Sequence, residues 1–369
     1  MSEPAVTGPE APARSRRKRS DGTIVSGIVT YLLVLVAALV PVPYLIQMPG
    51  PVVNTLEPVE GDELITITGT ETYEAEGTLD LLTVAVAGGP GRSLNASQVL
   101  RSVVSAEDTV VPTEAYYPLT TTREDVTGQN AAEMASSQDT ATAAALGELG
   151  IDYRSVITVA EVVPGSAAEG QVQPGDIITA VDGAEIGGDE AAAQTVADAV
   201  RSSESTVVLG LERAGEPLDV EVAPVEAHGQ KMIGVTMTQA FDFPFDVTFN
   251  VEGIGGPSAG TIFALAIIDE LTPGNLTGDR AIAGTGAISP DGTVAPIGGA
   301  RQKVSAAAES GAEFFLSPTD NCAEVLGARG ADALAVVAVG TLSEAHSAVQ
   351  DIAADRTGNL PSCQDAAAN

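Results

Sequence analysis

The chain has no tryptophan, two histidines, two cysteines and, among its 17 basic residues, only three lysines: Lys18, Lys231 and Lys303. Each shortage removes a class of chemistry. With only His228 and His346 available, neither in a loop of catalytic character, a serine–histidine arrangement is poorly supplied. No His-Glu-x-x-His pattern occurs to hold a zinc ion, so no metal site is expected. No Gly-x-x-x-x-Gly-Lys-Ser/Thr loop occurs either, so neither a nucleotide-driven engine of that type nor any other cofactor is expected. Positive charge is scarce throughout. The 17 Lys+Arg against 50 Asp+Glu leave a formal net charge of -33. Such a body repels a polyphosphate backbone, which argues against nucleic-acid binding.

What is present describes a globular chain. At 369 residues with 44% hydrophobic content and 39 glycines, it has room for about two domains of roughly 100 to 200 residues each. Aromatics make up only 4%, so the cores must be built from Val, Ile, Leu and Ala. The longest apolar run, Ile24 to Ile46, extends for 23 residues without a charge, and about 20 suffice to cross a bilayer. The block Arg14 to Arg19 precedes it with five of the 17 positive charges. By the positive-inside rule, residues 1–20 form a cytoplasmic, disordered basic tail and residues 21–47 a single-pass signal anchor in the cell membrane. The rest then lies outside the cytoplasm. Pro41 and Pro43 are expected to kink or end that helix early, with Tyr44 near the outer interface. Cys322 and Cys363 both follow the anchor. They either form one disulfide that pins the C-terminal tail or remain two unpaired buried thiols.

Beyond the break at Pro49-Gly50-Pro51, strands are expected at 64–68 and 79–86, and helices at 95–104 and 130–149. From Val156 the pattern changes to short strands between Gly and Pro turns. Val163-Pro164-Gly165-Ser166-Ala167-Ala168 and Gln173-Pro174-Gly175-Asp176-Ile177-Ile178-Thr179-Ala180-Val181-Asp182-Gly183 resemble the PDZ modules associated with bacterial proteases. That resemblance assigns 151–226 to a β-rich PDZ domain, a module that typically binds a peptide by adding it to a sheet edge. No Gly-Leu-Gly-Phe-like carboxylate loop precedes the first strand. Tyr153-Arg154-Ser155-Val156 occupies that region.

The richest segment is Ile254-Gly255-Gly256-Pro257-Ser258-Ala259-Gly260, followed 45 residues after Ser258 by Lys303 in Gly298-Gly299-Ala300-Arg301-Gln302-Lys303. Ser258 falls at the start of an apolar helix, Ala259 to Leu271, whose free amides suit a developing oxyanion. Lys303 falls near the start of another helix, 300–310. Lysine, unlike arginine, loses its proton when buried, so Lys303 can serve as a base. The two segments, with Gly284-Thr285-Gly286-Ala287-Ile288 between them, resemble the proteolytic domain of the Lon family.

The resemblance implies Ser258 as nucleophile, Lys303 as general base and Thr285 as the hydroxyl beside the lysine. Gly256, Pro257 and Ala259 form the backbone expected at the oxyanion. Two positions depart from the family pattern. Gly255-Gly256 stands where ATP-dependent members often have Asp-Gly, and Ala287 replaces an acidic residue. The resemblance also takes in Thr127 to Met134, so that residues 60–150 and 227–352 make one α/β (α+β) protease domain. The PDZ domain is then either inserted in it or simply precedes its catalytic part, and 353–369 is a C-terminal tail. This implies an ATP-independent serine endopeptidase acting on extracytoplasmic or membrane-associated proteins, and a homo-oligomer in the form of a hexameric ring. The alternatives are a catalytically inactive, membrane-tethered PDZ scaffold and, less compatible with an uncleaved anchor, a soluble chaperone. His346 reads as a surface or packing residue and His228 as a linker residue. The sequons Asn95-Ala96-Ser97 and Asn275-Leu276-Thr277 carry no information.

Overall fold

The computed structural model describes residues 21–58, 61–188, 190–227, 229–251 and 253–367. The expected basic tail, with the block Arg14 to Arg19, and His228 lie outside the described residues.

The apolar run does not form the single 23-residue membrane helix expected from it. Helix α1 covers Asp21–Leu39 and stops there, because Pro41 and Pro43 cannot donate to a continuing helix. The chain then becomes strand β1 (Tyr44–Asn54), where Leu45 and Ile46 are buried in the domain that follows. Among the described residues no helix is long and apolar enough to cross a membrane. Nor does Pro49-Gly50-Pro51 break the structure. Strand β1 continues through it with a register shift between Pro49 and Val52. Gly50 is required at this point, since a Cβ there would lie 2.3 Å from Thr83 Oγ1.

Next come β2 (Ile65–Thr68), β3 (Thr78–Gly88), helix α2 (Ala96–Val103), β4 (Thr109–Pro112) and the long helix α3 (Arg123–Glu148). Helix α3 begins seven residues before the expected Asn130. Thr122 caps it reciprocally with Asp125, each side chain bonding the other's backbone N–H, a motif that satisfies two orphan donors at once.

The chain then builds β5 (Arg154–Val162), β6 (Ile177–Val181), α4 (Glu190–Ser202), β7 (Val207–Arg213), β8 (Glu216–Val222) and β9 (Val235–Asp242). These strands form an antiparallel sheet in the order β8-β7-β6-β5-β9, around a core that includes Ile157, Ile178, Val196 and Leu209. Buried Asp176 is held by Arg213 through two hydrogen bonds of 2.7 Å. Because β9 pairs with β5 as far as Asp242↔Arg154, this unit extends well past the expected boundary at 226.

The remaining elements are β10 (Asp246–Phe249), α5 (Gly260–Leu271), β11 (Ala281–Gly284), α6 (Ala300–Ser310), β12 (Phe314–Pro318), β13 (Ala335–Val339) and α7 (Leu342–Ala353). They return to the first half of the chain. The main sheet runs β13-β12-β11-β3-β1-β4, with β3 parallel to β11, and β10 pairs with β2. One mixed α/β sheet thus joins strands from both sides of the 154–242 unit.

Alternation along the strands decides which helix covers which face. Leu79, Leu81, Ile282, Phe314 and Leu316 pack with α3 and α5, whereas Leu82, Ala283 and Phe315 pack with α6. Helix α5 is buried from Gly260 through Asp269, as a helix apolar all round must be. Each large side chain it buries stabilises the fold by about 1.5–3 kcal/mol. Of the two alternatives for Cys322 and Cys363, the structure shows the pinned tail: both are buried and joined by a disulfide.

Candidate active site

Helices α5 and α6 lie on opposite faces of the sheet, and their N-terminal ends meet around the carboxyl end of β11. Thr285 follows that strand directly, and its amide donates to Leu316 O at 3.1 Å. Ser258 sits in the turn two residues ahead of α5, and Lys303 is in the first turn of α6. Small residues allow these approaches. A Cβ at Gly260 would lie 2.7 Å from Ile288 Cγ2, and one at Gly299, with φ +73, would lie 2.7 Å from Val84 Cγ2.

Lys303 Nζ is 2.7 Å from Ser258 Oγ and 2.8 Å from Thr285 Oγ1. Thr285 Oγ1 in turn donates to Ser258 O at 2.9 Å. A hydroxyl has one proton. With that proton committed to Ser258 O, Thr285 can only accept from Lys303, so one amine N–H is fixed on Thr285. The lone pair of the neutral amine remains for the proton of Ser258. The Ser258 carbonyl is further held by Gly286 N–H at 3.0 Å.

Lys303 is 2% exposed. Burial alone lowers its pKa from 10.5 to about 7, because a dry site penalises the charged form. Among the described residues no carboxylate pairs with it. The amine is therefore poised to be neutral near physiological pH. No group of three or more His, Cys, Asp and Glu side chains converges as a metal site among the described residues.

The expected oxyanion backbone needs correction. Gly256 N–H already donates to Asn130 O at 3.3 Å, and Pro257 has no N–H to offer; its carbonyl accepts from Ser137 Oγ at 3.2 Å. The amides of Ser258 and Ala259 make no hydrogen bond among the described residues, so they are the donors left in this turn. Ser137 and Asn130, both on α3, brace the nucleophile turn from the side, and the sequence signalled neither role.

Beside the turn runs a groove of about 550 Å³ lined by Met134, Phe249, Val251 and Ile254 with Thr127 and Asn130 at its rim. His346 lies away from the dyad. Its Nδ1 meets Glu148 Oε1 at 3.0 Å, tying α7 to the end of α3.

In the second unit the sheet has two edge strands, β8 and β9, and of these β9 adjoins α4. Sequence reasoning looked for a carboxylate loop before the first strand. Here edge strand β9 comes last, after Met232-Ile233-Gly234. Its signal was the alternation from Val235 onward.

Residues 251–347 match the family model of the Lon protease (S16) C-terminal proteolytic domain, and residues 135–223 match that of the PDZ domain. The second match starts inside α3 and stops before β9. Strand pairing, which is direct, sets that unit at 154–242. Among curated proteins the chain is 36% identical to Lon protease 2 of Bacillus subtilis over 27% of this chain and 18% of that one. It is 30% identical to the archaeal Lon protease of Methanothermobacter thermautotrophicus over 34% and 19%. The matched stretch is thus about a fifth of these relatives' length. Among solved structures, the PDZ domain of an SdrC-like protein from Listeria innocua matches at 21% identity, covering 22% of this chain and 92% of that domain, with a TM-score of 0.20. The residues that carry the Ser258–Lys303 pair are thus similar to the Lon-type proteolytic domain, and an earlier stretch of the same chain is similar to the PDZ domain.

Proposed function

We propose that the chain is a serine endopeptidase that works without nucleotide hydrolysis. Neutral Lys303 takes the proton of Ser258 as its Oγ attacks a peptide carbonyl. The tetrahedral oxyanion is held by the Ser258 and Ala259 amides. Collapse expels the amine, which receives the proton from Lys303, and leaves an acyl-enzyme that water hydrolyses through the same base. The observation that carries this reading is the 2.7 Å contact between a buried, carboxylate-free lysine and the serine hydroxyl. Substrate side chains would enter the groove lined by Met134, Phe249 and Ile254.

The PDZ domain would recruit extended segments by strand addition at the β9 edge. Two observations support an extracytoplasmic protein held at a cell membrane. The Cys322–Cys363 disulfide suits an oxidising compartment. Helix α1 exposes apolar side chains on all sides, Ile28, Tyr31, Leu33 and Val36 among them, and would insert into lipid.

The test is hydrolysis of an unstructured protein and a fluorogenic peptide without nucleotide. Ser258→Ala and Lys303→Arg should each lower kcat/KM at least about a thousandfold. The arginine keeps the charge and cannot lose it. Unchanged hydrolysis in both variants would rule out the dyad, and an inert parent chain would favour the scaffold alternative.

A further inference from the structure

The foot of α1 is built into the protease domain. Pro41 and Val42 pair antiparallel with Asn95 and Leu94, and Ala96 N–H donates to Val40 O at 3.1 Å. Helix α2 is thereby fixed beside the end of α1. Its residues Leu100 and Val103 and the following Val104 face solvent, at 67%, 62% and 79% exposure. The large apolar side chains that the protease domain exposes outside α1 all fall between residues 40 and 119, the others being Val40, Tyr44, Val86, Tyr116 and Leu119. The second half of the domain, 243–367, exposes none among its described residues.

Charge is distributed in the same pattern. In a chain of net charge -33, six of the ten described arginines have a carboxylate partner. Arg154, Arg201, Arg213, Arg280, Arg329 and Arg356 are all ion-paired. Of the described arginines, Arg92, Arg101, Arg123 and Arg301 are not, and the first three surround the foot of α1. Arg92 lines a hollow of about 400 Å³ together with Val42, Tyr44, Tyr117 and Leu119, in which Glu114 is the one carboxylate. Arg101 is on α2. Arg123 opens α3 beside the Gly91 turn, and the adjacent Asp125 is occupied by the Thr122 cap.

We propose that this face seats the protease domain directly on an anionic lipid surface, with Leu100, Val103, Val104 and Leu119 entering the interface and Arg92, Arg101 and Arg123 meeting headgroup phosphates. The inference rests on the reading of α1 as inserted in lipid, and the apolar face is continuous with that helix. Apolar surface flanked by three arginines without carboxylate partners, with Glu114 and Glu124 as the carboxylates beside them, fits anionic lipid, whereas a neutral lipid or a second copy of this acidic chain offers the arginines less. Docking would hold the dyad at a fixed height, so that only segments near the membrane reach it.

The full chain is reconstituted in phosphatidylcholine vesicles with and without phosphatidylglycerol, each carrying a nitroxide-labelled lipid as quencher. A fluorophore is attached in separate preparations at Val104→Cys, at Leu33→Cys on α1 and at Glu221→Cys on the PDZ domain. The expected result is quenching at 33 in both lipids, at 104 mainly with phosphatidylglycerol, and at 221 in neither. Changing Arg92, Arg101 and Arg123 to Gln should lower the docked-to-undocked ratio roughly fivefold per arginine. Quenching at 33 with 104 as unquenched as 221 overturns the docking face and leaves the anchor standing. No quenching at 33 removes the anchor and this proposal with it. Concentration-dependent shielding of 104 in detergent without lipid assigns the face to a second copy and overturns the proposal.

Discussion

At the residue scale the decisive quantity is the proton on Lys303. Its pKa of about 7 in the fold, against 10.5 for an ordinary lysine, means the base is neutral above about pH 7 and protonated below it. We therefore expect kcat/KM to rise about tenfold per pH unit below 7 and to level off above it. Stability carries the matching sign. The unfolded chain binds a proton at Lys303 that the fold does not, between about pH 7 and 10.5. Its contribution to stability thus grows through that window and is lost as pH falls through about 7. Asp269 and Glu270 act in the opposite direction, since burial raises them to about 6 and about 7. Their contribution is lost as pH rises through those values. Comparing urea midpoints of the parent and Lys303→Met at pH 6.5 and 9 isolates the lysine. A parent that loses activity only near pH 4 would show that the base is not Lys303. The residues of the dyad were legible from three things: the scarcity of lysine, the Gly-rich turns and the family-like order of segments. The amide budget of the turn was not. Whether Gly256 N–H is free depends on Asn130, 126 positions away, and no local pattern reports such a contact.

At the element scale, α6 needs support for the lysine it carries. Gln302, 2% exposed, donates from Nε2 to Glu107 O at 3.1 Å and Thr109 Oγ1 at 2.7 Å, anchoring the helix to the β4 edge. Gln302→Ala removes both of these bonds and lets α6 shift. A displacement near 1 Å costs up to about a hundredfold in rate. We expect kcat to fall roughly tenfold or more with KM little changed, and the pH midpoint of kcat/KM to move up as water reaches Lys303. A merely structural glutamine would lower Tm and leave both kcat and the pH midpoint alone. Elements with strong periodicity, such as α5 and α6, were legible within a residue or two. Those set by tertiary context were not. Tyr44–Ile46 read as membrane because local hydropathy cannot separate a lipid-facing helix from a strand in a core. Strand β9 was left out of the PDZ unit because its partner, β5, is some 80 positions earlier in the chain.

At the scale of the whole molecule, one sheet holds strands from before and after the PDZ unit, so the protease domain closes only when distant segments meet. The chain leaves and rejoins that domain at adjacent points. Arg154 and Asp242 are Cα partners in an antiparallel pair, and the rings of Tyr153 and Phe243 are 5.6 Å apart. This geometry predicts that residues 155–241 can be replaced by Asn-Gly, the two-residue turn that joins antiparallel strands with least strain. The shortened chain should fold, form the Cys322–Cys363 disulfide and cleave a small fluorogenic peptide at close to the parent rate. It should lose cleavage of protein segments that depend on the β9 edge for recruitment. Disulfide mapping, circular dichroism and the two substrates side by side test this. A chain that folds but cleaves both substrates as before would remove recruitment from the PDZ domain. A chain that collapses, with the disulfide unformed, would mean that the protease core draws stability from the insert across the Tyr153, Phe241 and Phe243 cluster, and that the two units fold as one.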